Sequence, residues 1–283
     1  MRLVTVTATT DPTRAHACIA SWGVAESDLI VVPNGTAPHV PYLGTVRAFA
    51  VGVDQALRTD AEIIANFHDD LRIDDPLWMG IVEDYFFEHP RCGLLGFGGA
   101  LGLGDADLYQ KPYSPHALAR QGFRSNLDDA EAHGIRSLVP HQVACLDGFS
   151  QIGRREFFLG YHRQAIGVVH PEPVYDHLVD LGFVHHFYDG ALACLAARLG
   201  WEVHYLPIPC HHYGGQTAVG DAGYQRWALR QIPDGDQGFW TLAHKIGYDT
   251  FVDVLPIRVA SRPEDPRAQA RDAEEIFLTV PED

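Results

Sequence analysis

Over the first hundred residues, short apolar runs alternate with segments of helical period, and a chain patterned this way has few folds open to it. Arg2 to Ala8 alternates with β-branched residues and ends in Thr9-Thr10-Asp11-Pro12, a turn that also starts a helix running through Trp22. Asp28 to Val32 is a second apolar run, closed by Pro33-Asn34-Gly35, after which Val46, Ala50, Val53 and Leu57 recur at helical spacing. Ile63 to Phe67 is the third. Pro76 opens a helix carrying Trp78, Ile81, Val82 and Tyr85, and Cys92 to Phe97 makes a fourth strand. The alternation predicts an α/β fold, a mostly parallel twisted sheet flanked by helices. Ligands of such sheets sit beyond the carboxyl ends of the strands, which is where His68, Asp69 and Asp70 fall.

Further along, Gly96 to Gly104 (GFGGALGLG) invites a nucleotide-loop reading, but Leu101 stands where the third glycine belongs and no Lys-Ser/Thr pair follows. It reads as a flexible strand exit. Asp105 to Ser137 has no clear periodicity and is rich in Tyr, Pro, Asp and His, as a long surface excursion or lid would be. Order returns with Gln142 to Leu146, a helix near Arg154 to Leu159, a helix from Tyr188 to Leu199 and a strand from Glu202 to Leu206. From about Pro256 the chain is rich in Arg, Asp, Glu and Pro and reads as a loosely attached tail.

Composition narrows the function. With 46% hydrophobic and 20% charged residues, the 283-residue chain can bury a sizeable core, as one large domain with a decorated end. The formal net charge of -16 repels polyanions, so a nucleic-acid partner is not expected; the same acidity suits a protein that meets phosphates through a divalent cation. No apolar run of about 18 residues and no leader pattern is found, and five widely spaced cysteines with no CxxC pair match a reducing compartment. A cytoplasmic protein without a membrane span is the expectation.

The cluster at the end of the third strand carries the chemistry. Adjacent carboxylates repel, and a hard cation between them and a partner's phosphate oxygens removes that cost. The alternative is a solvated acidic loop that caps the following helix, which is the reading for Asp74 and Asp75 before Pro76.

Four further stretches occur around it in order: Gly44-Thr-Val-Arg-Ala48-Phe-Ala-Val-Gly52 before it, then Leu146-Asp147-Gly148 with Arg154-Arg155, Phe187-Tyr188-Asp189 heading a helix, and His211-His212-Tyr-Gly-Gly-Gln-Thr217 after a strand. This series resembles the GT-A fold glycosyltransferases, in particular the family 2-like group. The resemblance implies a GT-A (Rossmann-like) domain over residues 1–217, with a donor half of about 1–104, an acceptor half of about 138–217 and the excursion 105–137 between them. Residues 218–283 would be a C-terminal extension and tail.

Carried over by position, the resemblance assigns Asp70 to the last Asp of a DxD motif, holding Mn2+ or Mg2+ with His212 as a second ligand. It puts His68 in the place of the first Asp, against the donor ribose, with Asp69 in the middle. Asp189 matches the catalytic base, and Thr9, Asn34, Arg47 and Asp147 join His68 and Asp69 on the donor. The implied reaction is inverting transfer from a nucleotide sugar, UDP-sugar favoured, to a hydroxyl acceptor. The pattern departs at Ala50 for an expected Asn, at Pro33 for a nucleoside-binding Asp, and at Tyr188 for the acid before the base.

Each assignment has a structural counterpart. Asp189 can be no more than a helix cap, His212 a satisfied loop histidine, and Asp147 a turn before Gly148. Two rival functions also stand. His68-x-Asp70 with His212 is the two-histidine, one-carboxylate set of non-haem Fe(II) oxygenases, although that set belongs on an all-β jelly roll. The second is a catalytically inactive, sugar-nucleotide-binding relative.

Overall fold

A computed structural model describes residues 1–101, 123–130, 134–159, 173–180, 182–185 and 188–214. The first part runs β1 (Leu3–Thr9), α1 (Pro12–Ser21), β2 (Leu29–Pro33), α2 (Thr45–Leu57), β3 (Ile63–His68), β4 (Leu71–Ile73), α3 (Trp78–Glu88) and β5 (Cys92–Gly96). Five short strands come next, β6 (Gly98–Ala100) before the excursion 105–137, β7 (Phe123–Ser125) and β8 (Ile135–Arg136) within it, and β9 (His141–Gln142) and β10 (Cys145–Leu146) after it; the buried β7 shows that the excursion is not all surface loop. Then come β11 (Ser150–Arg154), α4 (Arg155–Leu159), α5 (Val174–Asp180), α6 (Tyr188–Arg198), β12 (Glu202–Tyr205) and β13 (Cys210–His212). Residues 105–122, Phe187, Gly215 to Thr217 and the whole of 218–283, all of which entered the sequence reading, lie outside the described residues.

The central sheet has seven strands in the order β2-β1-β3-β11-β5-β12-β9. It is mixed rather than mostly parallel: β1 pairs in parallel with β2 and β3, and β12 with β5, whereas β11 is antiparallel to both β3 and β5 and β9 is antiparallel to β12. The difference comes from β11. Its first residue, Ser150, pairs with Phe67 near the end of β3, so the chain enters this strand from the carboxyl edge and must run back between two strands of the other sense.

Both faces of the sheet are covered at β3, which is what its nearly continuous apolar run requires, since successive side chains point to opposite faces. Ile63, Ala65 and Phe67 enter the core shared with Trp22, Trp78, Phe86 and Phe97, while Ile64 packs on the other side with Phe49, Val53, Tyr175 and Leu192. His68 therefore leaves the strand on the α2 side, where its ring stacks on Phe49 at 6.2 Å. Helix α2 lies close on β1 because Gly52 has no side chain: a Cβ there would stand 2.2 Å from Val6 Cγ1. Gly98 and Gly99, after β5, are packing residues too and not a flexible exit; Gly102 and Gly104 lie outside the described residues. Gly98–Ala100 is a buried strand between β10 and β7, and a Cβ on Gly98 would stand 2.8 Å from the Phe149 ring.

Candidate metal centre

The chain leaves β3 at His68, turns through Asp69 and Asp70, and continues as β4. Indole N–H groups anchor this turn from below, Trp22 donating to Leu71 O at 2.8 Å and Trp78 to Trp22 O at 2.8 Å. Strand β13 then pairs antiparallel with β4, with His212 opposite Leu71 and the Tyr213 N–H donating to Asp70 O at 3.1 Å. That register carries His212 across 142 positions of sequence to the side of Asp70, where Nε2 lies 3.2 Å from Oδ1.

His68, Asp70 and His212 each offer a ligand atom, and these atoms lie within 4.8 Å of one another. The fit to a divalent cation rests on one more observation. His212 Nε2 is buried and stands 3.2 Å from the Asp70 carboxylate as an ion pair, but among the described residues no group meets it in full hydrogen-bond geometry. A buried ring nitrogen without a hydrogen bond is costly, and an ion shared with the neighbouring carboxylate supplies the missing partner. Two imidazoles and one carboxylate are a donor set for Mn2+ or another first-row ion more than for Mg2+, which favours oxygen.

The electrostatics divide the site in two. Burial would raise the Asp70 pKa, but the His212 and His68 rings beside it outweigh that and hold it at about 2. Burial and then the His212 ring lower His68 to about 4, against Asp70 and Asp147. For His212 burial is outweighed by Asp70, Asp147 and Asp129, and its pKa is raised. Asp189 behaves differently. Burial and the Asp147 carboxylate push it up to about 7, against the Gly190 N–H that donates to Oδ1 at 2.8 Å. One carboxylate is thus a permanent anion and the other is poised near neutrality.

Asp147 links the two parts, because its charge is felt by His68, His212 and Asp189 alike. It also turns the chain, accepting the Phe149 N–H at 3.2 Å, and Phe149 in turn stacks on the His212 ring at 4.9 Å. Asp69 is buried in the same turn, 8% exposed. Thr9 and Asn34 stand at the carboxyl ends of β1 and β2, bonded to each other through the Asn34 N–H and Thr9 O at 2.9 Å. Their side chains serve the loops: Thr9 Oγ1 accepts the Asp11 N–H at 3.1 Å and Asn34 Oδ1 the Leu43 N–H at 2.6 Å. Arg47 is exposed on α2, and its charge is felt by Asp176 on α5. Asp74 pairs with Arg72 at 2.8 Å and Asp75 accepts the Leu77 N–H at 2.8 Å, so both hold the local turn, but neither caps α3 as the sequence suggested: its N-cap is Leu77, with no side-chain cap bond.

The sequence marked Tyr188 only as a departure from the family pattern and gave no place at the site to Phe149. The Tyr188 hydroxyl meets His68 Nε2 at 3.0 Å across 120 residues, and no spacing or periodicity signals such a contact.

Neither a protein-family model nor a curated protein matches the chain. Among solved structures it is similar to A197 from STIV, at 14% identity and a TM-score of 0.42 over 75% of this chain and 86% of that one. It is also similar to the mannosyltransferase PcManGT from Pyrobaculum calidifontis in complex with GDP-Man and Mn2+, at 12% identity and a TM-score of 0.41 over 99% and 76% of the two chains. A third similar structure is GalNAc-T7 with UDP, GalNAc and Mn2+, at 11% identity and 0.47 over 91% and 59%. No helix among the described residues is long and apolar enough to cross a membrane.

Proposed function

We propose that the chain is a metal-dependent, inverting glycosyltransferase of the GT-A type, with residues 1–217 as the catalytic domain. The observation that carries this reading is the meeting of His68, Asp70 and His212 at the carboxyl end of β3, with a buried nitrogen available to coordinate, and of Asp147, whose charge reaches both these histidines and a carboxylate of raised proton affinity, Asp189. Asp70, His212 and His68 would hold Mn2+ or Mg2+. This moves His68 from the donor ribose to the ion. Bound there, the cation neutralises the diphosphate that departs from a nucleotide sugar.

The protein's own groups do the rest. Asp189 takes the proton of the acceptor hydroxyl, and a carboxyl with a pKa of about 7 can both accept that proton and release it at neutral pH. Asp147, anionic beside it, favours the protonated form of Asp189 and so strengthens it as a base. Displacement with a single base inverts the anomeric centre.

The test is thermal shift with UDP-sugars, with and without Mn2+. A donor at about a hundred times its Kd stabilises the protein by about 2.7 kcal/mol, and it should do so only when Mn2+ is present. Equal nucleotide affinity in EDTA and in Mn2+ would sink the reading. Slow UDP-sugar hydrolysis with Mn2+ separates an enzyme from an inactive relative. The donor set of two histidines and one carboxylate also favours an Fe(II) oxygenase, and iron in the purified protein would move support there. The mixed α/β sheet counts against it.

A further inference from the structure

Tyr188 stands at the first position of α6, immediately before Asp189, with its ring 3% exposed between Phe49 and Tyr175. Among the described residues its hydroxyl meets groups on two different elements: it donates to Gly148 O at 3.2 Å and lies 3.0 Å from His68 Nε2. A phenol carries one proton, and a carbonyl oxygen can only accept. With that proton directed at Gly148, the phenol oxygen meets His68 as an acceptor, so Nε2 carries the hydrogen. The neutral ring then has its lone pair on Nδ1.

We propose that Tyr188 is the positioning residue of the metal centre: its hydroxyl holds His68 in the Nε2–H tautomer, presents Nδ1 to the cation, and ties that ligand to the helix that carries Asp189. The inference rests on the metal reading above and deepens it. Ligating histidines are oriented in this way by a partner on the second nitrogen, and losing the partner weakens metal binding by about 10- to 100-fold.

Gly148 carries an independent part of the argument. A Cβ there would stand 2.4 Å from the Tyr188 oxygen and 3.0 Å from Cζ, so only glycine lets the hydroxyl reach its seat. The loop that supplies this carbonyl also supplies Asp147, whose charge reaches both the histidines and Asp189. One hydroxyl therefore joins β3, the Asp147 loop and α6 at the point where the cation and the base must stand in fixed relation. This also accounts for a tyrosine, not an acid, at position 188.

The experiment uses the full chain and Mn2+ alone. Titration calorimetry of Tyr188→Phe should show Mn2+ affinity about 10- to 100-fold weaker, with the melting temperature of the metal-free protein moved by only a few degrees. Gly148→Ala should weaken Mn2+ in the same direction. Tyr175→Phe, which removes another buried hydroxyl that bonds Asn66 and Gln151 but no ligand, should leave Mn2+ affinity unchanged. Nitrogen-15 NMR of the metal-free protein should find His68 in the Nε2–H form in the wild type and as a tautomer mixture in Tyr188→Phe. Wild-type Mn2+ affinity in both Tyr188→Phe and Gly148→Ala, or an Nδ1–H tautomer in the wild type, overturns the inference alone. A wild-type chain without Mn2+ affinity overturns the metal reading and this inference with it.

Discussion

Among the described residues stand two histidine pairs of nearly equal geometry. The His68 and His212 rings are 5.5 Å apart at 57°, and the His89 and His204 rings 5.6 Å apart at 66°. Their chemistry differs. His204, on β12, has a partner on each nitrogen, Tyr85 Oη at 2.7 Å and Glu202 Oε2 at 3.2 Å, and Glu202 is itself held by Arg91 at 2.7 Å. That network closes on protein groups and stiffens the contact between α3 and β12. His212 keeps a buried nitrogen that no group among the described residues meets in full hydrogen-bond geometry, paired at 3.2 Å with a carboxylate held ionised. Proximity of histidines is therefore no guide to a metal site; an unmet valence beside an anion is.

The largest expected effect tests that contrast directly. Asp70→Ala should weaken Mn2+ binding by more than about 100-fold, since even losing a group behind a ligand costs up to that much, while Glu202→Ala should leave it unchanged. Calorimetry on the two variants decides, and the reverse result would break the comparison. Within the open site, Asp189→Asn keeps size and most hydrogen bonding but cannot accept a proton. Turnover should fall by about two to four orders of magnitude with donor binding nearly unchanged. Wild-type transfer by this variant, or donor binding lost as fully as in Asp70→Ala, would move the base elsewhere, to Asp147 first.

In the closed network the loss should appear as stability. Tyr85→Phe strands His204 Nδ1 and should cost about 1–3 kcal/mol in urea denaturation, with Mn2+ affinity intact. The smallest effect is a pH dependence. Asp189 titrates near 7 in the folded protein against 3.8 in its unperturbed state, so its contribution is fully present below about 3.8 and is lost as pH rises through about 7. Relative to the metal-free wild type, Asp189→Asn should gain about 1 kcal/mol or more between pH 4 and pH 8. A difference that stays flat over that range would show that Asp189 is an ordinary exposed-type carboxyl.

How much was legible in advance follows the same line between local and distant causes. The strand from Ile63 to Phe67, the helix from Val46 to Leu57, the strand–turn–helix rhythm of the first hundred residues and the helix from Tyr188 all stand near their expected bounds. Each is set by periodicity and turn residues within about a dozen positions. His68 and Asp70 at a strand end, and Asp189 in the first turn of a helix, are local facts of the same kind. The direction of β11 was not legible, because it depends on the edge from which a loop enters the sheet. Nor were the packing roles of Gly98 and Gly99, where a glycine-rich string reads as flexible until its neighbours are known.

The sequence by itself determined the donor types of the site and their place at the end of a strand, because backbone pattern and side-chain chemistry are written residue by residue. Only the tertiary structure decided that His68 stands beside Asp70 and His212, that Asp189 is a carboxyl of raised proton affinity, and that the Tyr188 hydroxyl meets His68. The first needs the β4–β13 register, the second burial beside Asp147, and the third a glycine that admits a hydroxyl to its carbonyl. All three arise from contacts between residues far apart in the chain, and such contacts exist only once the sheet and its covering helices have brought them together.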